Sequence, residues 1–246
     1  MAQKKKRLDL AVVEKGLAAS RPRAKALIMA GKIRVNDQLV DKPGSTVGPH
    51  DTVSLKGEDL PYVSRGGLKL EKALAAFEIN VTGWTCLDVG ASTGGFTDCL
   101  LKHGADKVYA VDVGYGQFAW ELRNETRVVL IERTNIRHLP LETLPSPVDL
   151  VVIDVSFISL KIVVPSVLKF LKKDALIAAL IKPQFEVGKG QVGKGGVVRD
   201  PEKHRFVLED LTAFFQDLKF IVQPPIPSPI KGPKGNVEFL MVMTYR

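Results

Sequence analysis

From about residue 80 onward, short apolar runs alternate with segments of helical periodicity, and this alternation constrains the fold more than any other feature. The predicted strands are residues 85–89, 107–113, 128–132, 149–155, 175–181, 220–222 and 237–244, and the predicted helices are residues 96–102, 162–172 and 201–218. Strands that are apolar on both faces need helices to cover both sides of their sheet. The pattern therefore predicts an α/β fold with a parallel sheet and helices on both faces.

The first part of the chain has a different character, because it is basic, rich in turn residues and built of short elements. Ser20 is a suitable N-cap and Gly31 a suitable stop for a helix, and a shorter apolar segment precedes them. Alternating apolar residues after Gly31 predict short strands. We therefore expect a small α+β domain over residues 1–58, a linker over residues 59–63 and the larger α/β domain over residues 64–246.

The chain carries 35 Lys and Arg against 27 Asp and Glu, which gives a formal net charge of +8 at pH 7. A basic balance favours polyanionic partners such as nucleic acid. Cations are concentrated in and around the second predicted helix, and they are Arg7, Arg21, Arg23, Lys25, Lys32 and Arg34. Such a surface can follow RNA phosphates. A solvated, charged helix face is the ordinary alternative.

Metal, disulfide and membrane sites are not expected from the composition. Cys86 and Cys99 are the two cysteines, they lack the C-x-x-C spacing, and the four histidines show no ligand spacing. No signal-peptide core follows the basic start, and no run reaches the roughly 18 apolar residues of a membrane span. We expect a cytoplasmic protein with no metal and no membrane partner.

A glycine-rich segment, residues 88–96, joins the first strand of the larger domain to the helix after it. Open α/β sheets bind ligands at such junctions. Gly90 permits a tight turn, and Gly94 and Gly95 allow a ligand to approach the backbone. The spacing fits neither the dinucleotide fingerprint nor a phosphate loop. Asp112, at the end of the next strand, can accept hydrogen bonds from both hydroxyls of a ribose, or else it caps a turn.

Four charged residues lie near the ends of predicted elements, in apolar or glycine-rich surroundings, and they are Lys69, Asp154, Lys182 and Glu238. Charged side chains are rarely buried unless they are paired, and the strand ends of such a sheet converge on its ligand crevice. A lysine there can act as a general base on a hydroxyl, while the acids hold the ammonium groups in place. For any single member, a structural ion pair is the alternative.

Further cations surround this group of residues. Residues 188–196 are rich in glycine and lysine, and they include Lys189 and Lys194. A mobile, cationic loop of this kind suits the gripping of RNA, although an ordinary flexible connection is equally consistent with it. Arg65, just before Lys69, is a further candidate for RNA contact.

The N-terminal segment resembles the S4-type RNA-binding domain, which is named after a ribosomal protein. The matching stretches are Arg-Leu-Asp at residues 7–9, Ser-Arg-Pro-Arg-Ala-Lys-Ala-Leu-Ile at residues 20–28 and Gly-Lys-Ile-Arg-Val-Asn at residues 31–36. By this resemblance the basic surface docks on folded RNA and reads its shape more than its sequence.

The glycine-rich segment resembles the S-adenosylmethionine loop of FtsJ-type RNA methyltransferases, which commonly have Ala-Pro where this chain has Ser92-Thr93. The resemblance implies a Rossmann-like class I methyltransferase sheet and S-adenosylmethionine as cofactor. Asp112 would bind the ribose, and Asn135, where the family more often has an acid, would lie by the adenine. The other residues assigned to the cofactor are Asp88, Gly90, Ser92, Gly94 and Gly95.

Lys–Asp–Lys–Glu in this order is the catalytic tetrad of the FtsJ-type ribose methyltransferases, and it carries over to Lys69, Asp154, Lys182 and Glu238, with Lys182 as general base. Nearly the whole chain is similar to the haemolysin A (TlyA) family, through residues 62–69, 87–98, 154–160, 181–186 and 195–200. This resemblance implies 2′-O-methylation of a cytidine in ribosomal RNA, with ribosomal subunits as the partner.

Three alternatives remain open. The first is an RNA- or ribosome-binding factor without catalytic activity, which the intact tetrad argues against. The second is a membrane-active haemolysin, which would need amphipathic or spanning segments, whereas the apolar runs here fit sheet strands. The third is a methyltransferase that acts on a base nitrogen. Such enzymes often carry Asn/Asp-Pro-Pro-Tyr where this chain has Asp-Val-Ser-Phe, at residues 154–157.

Overall fold

The structure is a computed structural model that describes residues 5–56, 60–188 and 190–245. The boundary between its two compact units lies between Pro61 and Tyr62. Tyr62 and Val63, which the sequence analysis assigns to the linker, belong to the second unit. The Tyr62 ring is buried there, and the Val63 N–H donates to the Asp98 carboxylate at 2.8 Å. The domain limits otherwise stay a prediction.

The first unit combines short helices with short antiparallel strands. Its elements are β1 (Lys6–Arg7), α1 (Leu8–Glu14), α2 (Arg21–Met29), β2 (Ile33–Val35), β3 (Gln38–Leu39), β4 (Thr46–Val47) and β5 (Val53–Leu55). Strand β1 pairs with β4, and β2 lies between β3 and β5. Ser20 caps α2 as predicted, since its Oγ accepts a hydrogen bond from the Arg23 N–H at 3.3 Å. The helices pack on the strands through a separate apolar core that includes Leu8, Ile28 and Ile33.

The second unit is a sheet flanked by helices. Its strands are β6 (Thr85–Val89), β7 (Lys107–Val111), β8 (Val128–Ile131), β9 (Val148–Ile153), β10 (Leu171–Ile181), β11 (Ile221–Val222), β12 (Ile226–Pro227) and β13 (Phe239–Thr244). Its α-helices are α3 (Gly66–Ala76), α4 (Gly95–Lys102), α5 (Trp120–Arg123), α6 (Leu160–Val167), α7 (Pro183–Glu186) and α8 (Pro201–Asp217). One apolar core lies on each face of the sheet. The predicted α/β architecture is therefore confirmed.

The sheet is mixed rather than wholly parallel. Its order is β11-β13-β10-β9-β6-β7-β8, with β12 also pairing with β13. Strands β10, β9, β6, β7 and β8 are parallel, whereas β13 runs antiparallel to β10, β11 and β12. The prediction of a parallel sheet is wrong at this edge.

The chain changes the direction in which it adds strands to the sheet, and the change falls between the neighbouring strands β6 and β9. From β6 the chain builds outward through β7 and β8, and it then returns to add β9 and β10 on the other side. In open α/β sheets a ligand crevice opens at the carboxyl ends of strands beside such a reversal. The loops after β6 and β9 therefore flank the expected site.

The prediction of a helix over residues 162–172 is wrong at both ends. Helix α6 runs from Leu160 to Val167, a 3-10 turn covers Leu168–Phe170, and Leu171 already begins β10. Ser159 caps α6, since its Oγ accepts from the Lys161 N–H at 3.1 Å. Among the described residues, no helix is both long and apolar enough to cross a membrane.

Candidate active site

The loop after β6 passes directly over the end of β9. Gly90 has a φ of +86°, and a Cβ added there would lie 2.5 Å from the carbonyl oxygen of Asp154. Only glycine fits both the backbone conformation and this approach. The Asp154 N–H in turn donates to the Val89 carbonyl at 3.0 Å, so the two strand ends are locked together.

Asp112 holds the next turn of the same loop in place. Its Oδ2 accepts from the Ser92 N–H at 2.7 Å, and its Oδ1 accepts from the Gly114 N–H at 2.6 Å. A carboxylate has more acceptor sites than these two bonds use. Asp112 can therefore cap the turn and still accept hydrogen bonds from a ligand, so the two roles considered from the sequence are compatible.

A cavity of about 510 Å³ opens beside Asp112. Asp112 and Asn135 are among its polar groups, and Val113, Ile136 and Phe157 are among its apolar ones. The Asn135 Oδ1 accepts from the Arg137 N–H at 3.1 Å, so the amide NH2 can donate to a ligand. The volume lies within the range of about 300–1,000 Å³ that is typical of a small-molecule site. A nucleoside has the polar ribose and flat apolar base that such a lining accepts.

A second cavity, of about 320 Å³, contains all four charged residues of the predicted tetrad. The Lys69 Nζ donates to Glu238 Oε2 at 2.5 Å, and the Lys182 Nζ lies 2.6 Å from Asp154 Oδ1. Lys69, Lys182 and Glu238 are 8%, 9% and 1% exposed, so the charges lie in a largely dry site where pairing is required. Gly90, Ser92, Asp154 and Ser156 line both cavities, which therefore adjoin.

Sheet pairing explains why residues far apart in sequence meet here. Ile181 pairs with Phe239 across β10 and β13, so the neighbouring residues Lys182 and Glu238 reach the same edge. Asp154 follows β9, the other neighbour of β10. Lys69 comes instead from α3, which the sequence analysis does not predict.

Helix α3 begins at two glycines, which are poor helix residues. Gly67 is required there because a Cβ would lie 2.2 Å from the Cγ of Tyr62. The buried Tyr62 ring therefore packs against the helix backbone and replaces the side chain that Gly67 lacks. This packing directs the next turn of α3, and Lys69 with it, toward Glu238.

Asp88, which the sequence assigns to the cofactor, is fully buried and lines neither cavity. Its Oδ2 accepts from the Thr97 hydroxyl at 2.7 Å, so it braces the first turns of α4. Burial, together with the charges of Asp154 and Asp112, raises the pKa of Asp88 to about 7. Its position supports the loop from beneath, and any effect on a ligand would be transmitted through the loop backbone.

Two polar residues that were not predicted from the sequence contribute here, one by lining the site and the other by holding loops next to it. Ser156 lines both cavities, and its Oγ accepts from the Lys182 Nζ at 3.0 Å. Asn236 is 4% exposed and ties two loops together, because its Oδ1 accepts from the Val198 N–H and its Nδ2 donates to the Gly196 carbonyl. Its position two residues before Glu238 was the available signal.

The residues predicted to bind RNA are distributed over both units. In the first unit Arg7 and Arg21 are paired with Asp9, and Lys25 and Lys32 are exposed. Arg23 and Arg34, in the same unit, are partly buried. In the second unit Arg65 lines the smaller cavity and Lys194 is exposed. Lys189 lies outside the described residues.

Comparison with known proteins identifies both parts of the chain. The family model of the FtsJ-like methyltransferases matches residues 62–245, and that of the S4 domain matches residues 6–53. The 16S/23S rRNA (cytidine-2′-O)-methyltransferase TlyA of Mycobacterium tuberculosis is 49% identical over 238 residues, covering 96% of this chain and 88% of that protein.

Two other matches extend over nearly the full length. Hemolysin A of Brachyspira hyodysenteriae is 43% identical over 235 residues, covering 95% of this chain and 98% of that protein. A solved structure from Streptococcus thermophilus, provisionally named a hemolysin, has a TM-score of 0.76 at 45% identity and covers 99% of this chain and 90% of that chain. These matches confirm the fold class predicted from the sequence.

Proposed function

This chain belongs to the FtsJ-like methyltransferase family, among its haemolysin A (TlyA) members, and we propose that it transfers a methyl group from S-adenosylmethionine to the 2′-hydroxyl of a cytidine in ribosomal RNA. One observation carries the proposal. Two lysine–carboxylate pairs, Lys69–Glu238 and Lys182–Asp154, share a cavity that adjoins a nucleoside-sized one.

The larger cavity suits the cofactor. Asp112 would accept hydrogen bonds from its ribose hydroxyls, and the free amide NH2 of Asn135 would face its base. Gly90 and Ser92 border both this cavity and the smaller one, and so does Asp154 of the tetrad. S-adenosylmethionine, when bound, supplies an electrophilic methyl group carried on a sulfonium.

Lys182 is the proposed general base. A neutral amine nitrogen has four tetrahedral positions, which are three bonds and one lone pair. One of the bonds joins the nitrogen to its own side chain. The Ser156 hydroxyl accepts from one of the others at 3.0 Å, and the Asp154 carboxylate holds the amine by charge at 2.6 Å. A further position is left for the substrate. When Lys182 is neutral, its lone pair there accepts the proton of the 2′-hydroxyl while that oxygen is methylated.

Lys69 and Glu238 have a supporting role in this scheme. They form a 2.5 Å ion pair, so neither buried charge is left without a counter-ion. Both residues line the cavity that contains Lys182, and the pair would keep that wall of the cavity in place. Both side chains are buried.

The proposal of ribosomal RNA as the substrate is supported by the first unit and by the relatives. The first unit matches the S4 domain, and the relative from Mycobacterium tuberculosis is named for the cytidine ribose of 16S and 23S ribosomal RNA. Exposed cations in the first unit suit a folded, negatively charged partner.

The test uses purified protein, unmodified ribosomal subunits and tritiated S-adenosylmethionine, with label mapped by nuclease digestion and mass spectrometry. Wild-type protein should label a cytidine ribose, and the Lys182→Ala variant should not. Loss of a general base typically lowers the rate by about 10²–10⁴-fold.

Lys172→Ala is the matched control. It removes a lysine–carboxylate pair of the same 2.6 Å separation, with Asp149, at the other end of β10. Its activity should stay close to wild type. If the protein binds S-adenosylmethionine but labels neither subunit, the proposed substrate class is refuted. If it neither binds S-adenosylmethionine nor labels a subunit, a catalytically silent RNA-binding factor is favoured.

A further inference from the structure

Asp9 is a fully buried carboxylate at the start of α1 in the first unit. Arg7 binds it in a bidentate manner, since its Nε donates to Oδ1 at 3.0 Å and its Nη2 donates to Oδ2 at 3.0 Å. The Arg21 Nε donates to the same Oδ2 at 3.0 Å. One buried acid therefore holds two guanidinium groups from two different elements, β1 and α2.

Both arginines keep most of their hydrogen-bonding capacity. Each guanidinium has more N–H groups than Asp9 engages, and within the described part of the chain Asp9 is the one hydrogen-bond partner of either guanidinium. The two side chains are 46% and 48% exposed. Both guanidinium groups are therefore anchored and half-exposed, with N–H groups that a ligand could engage.

The carboxylate is charged whenever the protein is folded at neutral pH. Hydrogen bonds from Arg7, and also from Arg21, lower the pKa of Asp9 to about 2. Ion pairs whose arginine partners are half-exposed add little to stability, because water screens them. What the ionic arrangement provides in addition is the fixed orientation of two planar cations.

We propose that Asp9 positions Arg7 and Arg21 as a paired clamp for a backbone phosphate of folded RNA. Two guanidinium groups that share one carboxylate bring several N–H donors to one place, and planar guanidinium donors match the oxygens of a phosphodiester. The clamp rests on the proposed function, which supplies the RNA. It deepens that function by naming the positioning residue and the chemical group that is bound.

The Asp9→Asn substitution separates the clamp from simple attraction. It removes a negative charge and so raises the formal net charge of +8 by one unit. General electrostatics then predicts tighter RNA binding. The clamp predicts weaker binding, by roughly tenfold, because the amide has a single, uncharged acceptor oxygen and cannot hold both arginines as the two carboxylate oxygens do. The two expectations differ in sign.

The experiment measures binding of the full chain to unmodified ribosomal subunits at several salt concentrations, alongside the methyl-transfer rate. Asp9→Asn should raise KM for the subunits much more than it lowers kcat, and it should reduce the salt slope by about one phosphate contact. Glu14→Gln is the matched control. It removes an exposed α1 acid that pairs with Lys6, and its subunit affinity should stay within about twofold of wild type.

Two further variants keep the proposal testable if Asp9→Asn unfolds. Arg7→Lys and Arg21→Lys retain the charge but lose the planar fork, and each should weaken binding while circular dichroism stays native. Where Asp9→Asn does fold, combining it with either variant should add little, because the same clamp is already broken. Unchanged or tighter binding by the folded variants would overturn the clamp. Wild-type protein that binds no subunits would overturn the proposed function instead.

Discussion

At the scale of single residues, the chemistry proposed here depends on how firmly one amine is held. Lys182 Nζ has Asp154 at 2.6 Å and Ser156 at 3.0 Å. The acid was recognisable from its position at the end of an apolar strand. Ser156 was not, because a serine in a loop has many ordinary roles and only the fold shows that its hydroxyl meets a lysine from the next strand.

Ser156→Ala should lower kcat by about 3- to 10-fold, since a typical hydrogen bond is worth about 0.5–1.5 kcal/mol. The effect should appear in kcat because the bond orients the base and does not hold RNA. Single-turnover methyl transfer measures it. Ser156→Thr keeps the hydroxyl and should restore most of the rate.

A serine elsewhere controls for general damage. Ser166 lies in α6, where its hydroxyl donates to the Ile162 carbonyl at 3.1 Å, and Ser166→Ala should leave kcat unchanged. A Ser156→Ala enzyme as fast as wild type would remove Ser156 from the mechanism.

Asp88 makes stability depend on pH in an unusual direction. Its pKa of about 7 in the folded protein exceeds the ordinary 3.8 of the unfolded chain, so the folded state binds the proton more tightly. The stability from this group is present at low pH and is lost as pH rises through about 7. Wild type should therefore lose stability relative to Asp88→Asn between pH 5 and pH 8, by on the order of 2 kcal/mol.

Urea unfolding at both pH values measures the difference. Asp9→Asn provides the contrast, because the pKa of Asp9 is lowered to about 2 and its contribution is lost only as pH falls toward that value. The difference between wild type and Asp9→Asn should be flat from pH 5 to pH 8. If the difference in free energy of unfolding between wild type and Asp88→Asn were also independent of pH, Asp88 would be ionised throughout this range.

At the scale of helices and strands, local pattern predicted most elements but not all of their ends. Residues 160–170 contain apolar residues that suit either a helix or a strand. The helix ends at Val167 because Leu171 pairs with Val148 of β9. This sheet contact cannot be predicted from the local sequence. Pro165 lies inside α6 as well, which further weakens a long helix.

Strand direction and α3 were missed for a related reason. An apolar run predicts a strand but not whether its neighbour is parallel, so the antiparallel β13 could not be read from its sequence. Gly66 and Gly67 argued against a helix, and the compensating contact from Tyr62 is tertiary. Asp154, Lys182 and Glu238 were predictable because each directly follows or precedes an apolar strand, whereas Lys69 lies inside α3.

The approach of β6 to β9 can be tested with two glycines. Gly90 and Gly83 both have positive φ, +86° and +76°, but only at Gly90 would a Cβ meet a backbone atom, 2.5 Å away. Gly83→Ala should cost about 1 kcal/mol of conformational strain. Gly90→Ala should cost more and should also abolish binding of S-adenosylmethionine, because the loop must move away from Asp154.

Thermal unfolding and isothermal titration with S-adenosylmethionine compare the two variants. Equal destabilisation with cofactor affinity retained in both would show that the loop can relax without losing its ligand geometry. That result would argue against the cavity beside Gly90 as the cofactor site.

At the scale of the whole molecule, the two units divide the work that the proposed reaction requires. The tetrad and both cavities lie within Tyr62–Arg246, whereas the paired arginines and the S4 match lie before Pro61. Cations in the first unit should therefore affect RNA docking without affecting the cofactor. The net charge of +8 by itself does not distinguish this from a uniformly basic surface.

Matched pairs of lysines decide between these possibilities. Lys25 and Lys32 are exposed in the first unit, and Lys172 and Lys173 are exposed in β10 of the second. Changing either pair to glutamine lowers the net charge by the same amount.

If RNA docks on the first unit alone, Lys25→Gln with Lys32→Gln should raise KM for ribosomal subunits and reduce the salt slope by up to about two phosphate contacts. The affinity for S-adenosylmethionine should be unchanged. Lys172→Gln with Lys173→Gln should leave both quantities near wild type. Equal losses in the two double variants would mean that overall charge drives association, because a docking surface confined to the first unit cannot respond to cations at the far end of β10.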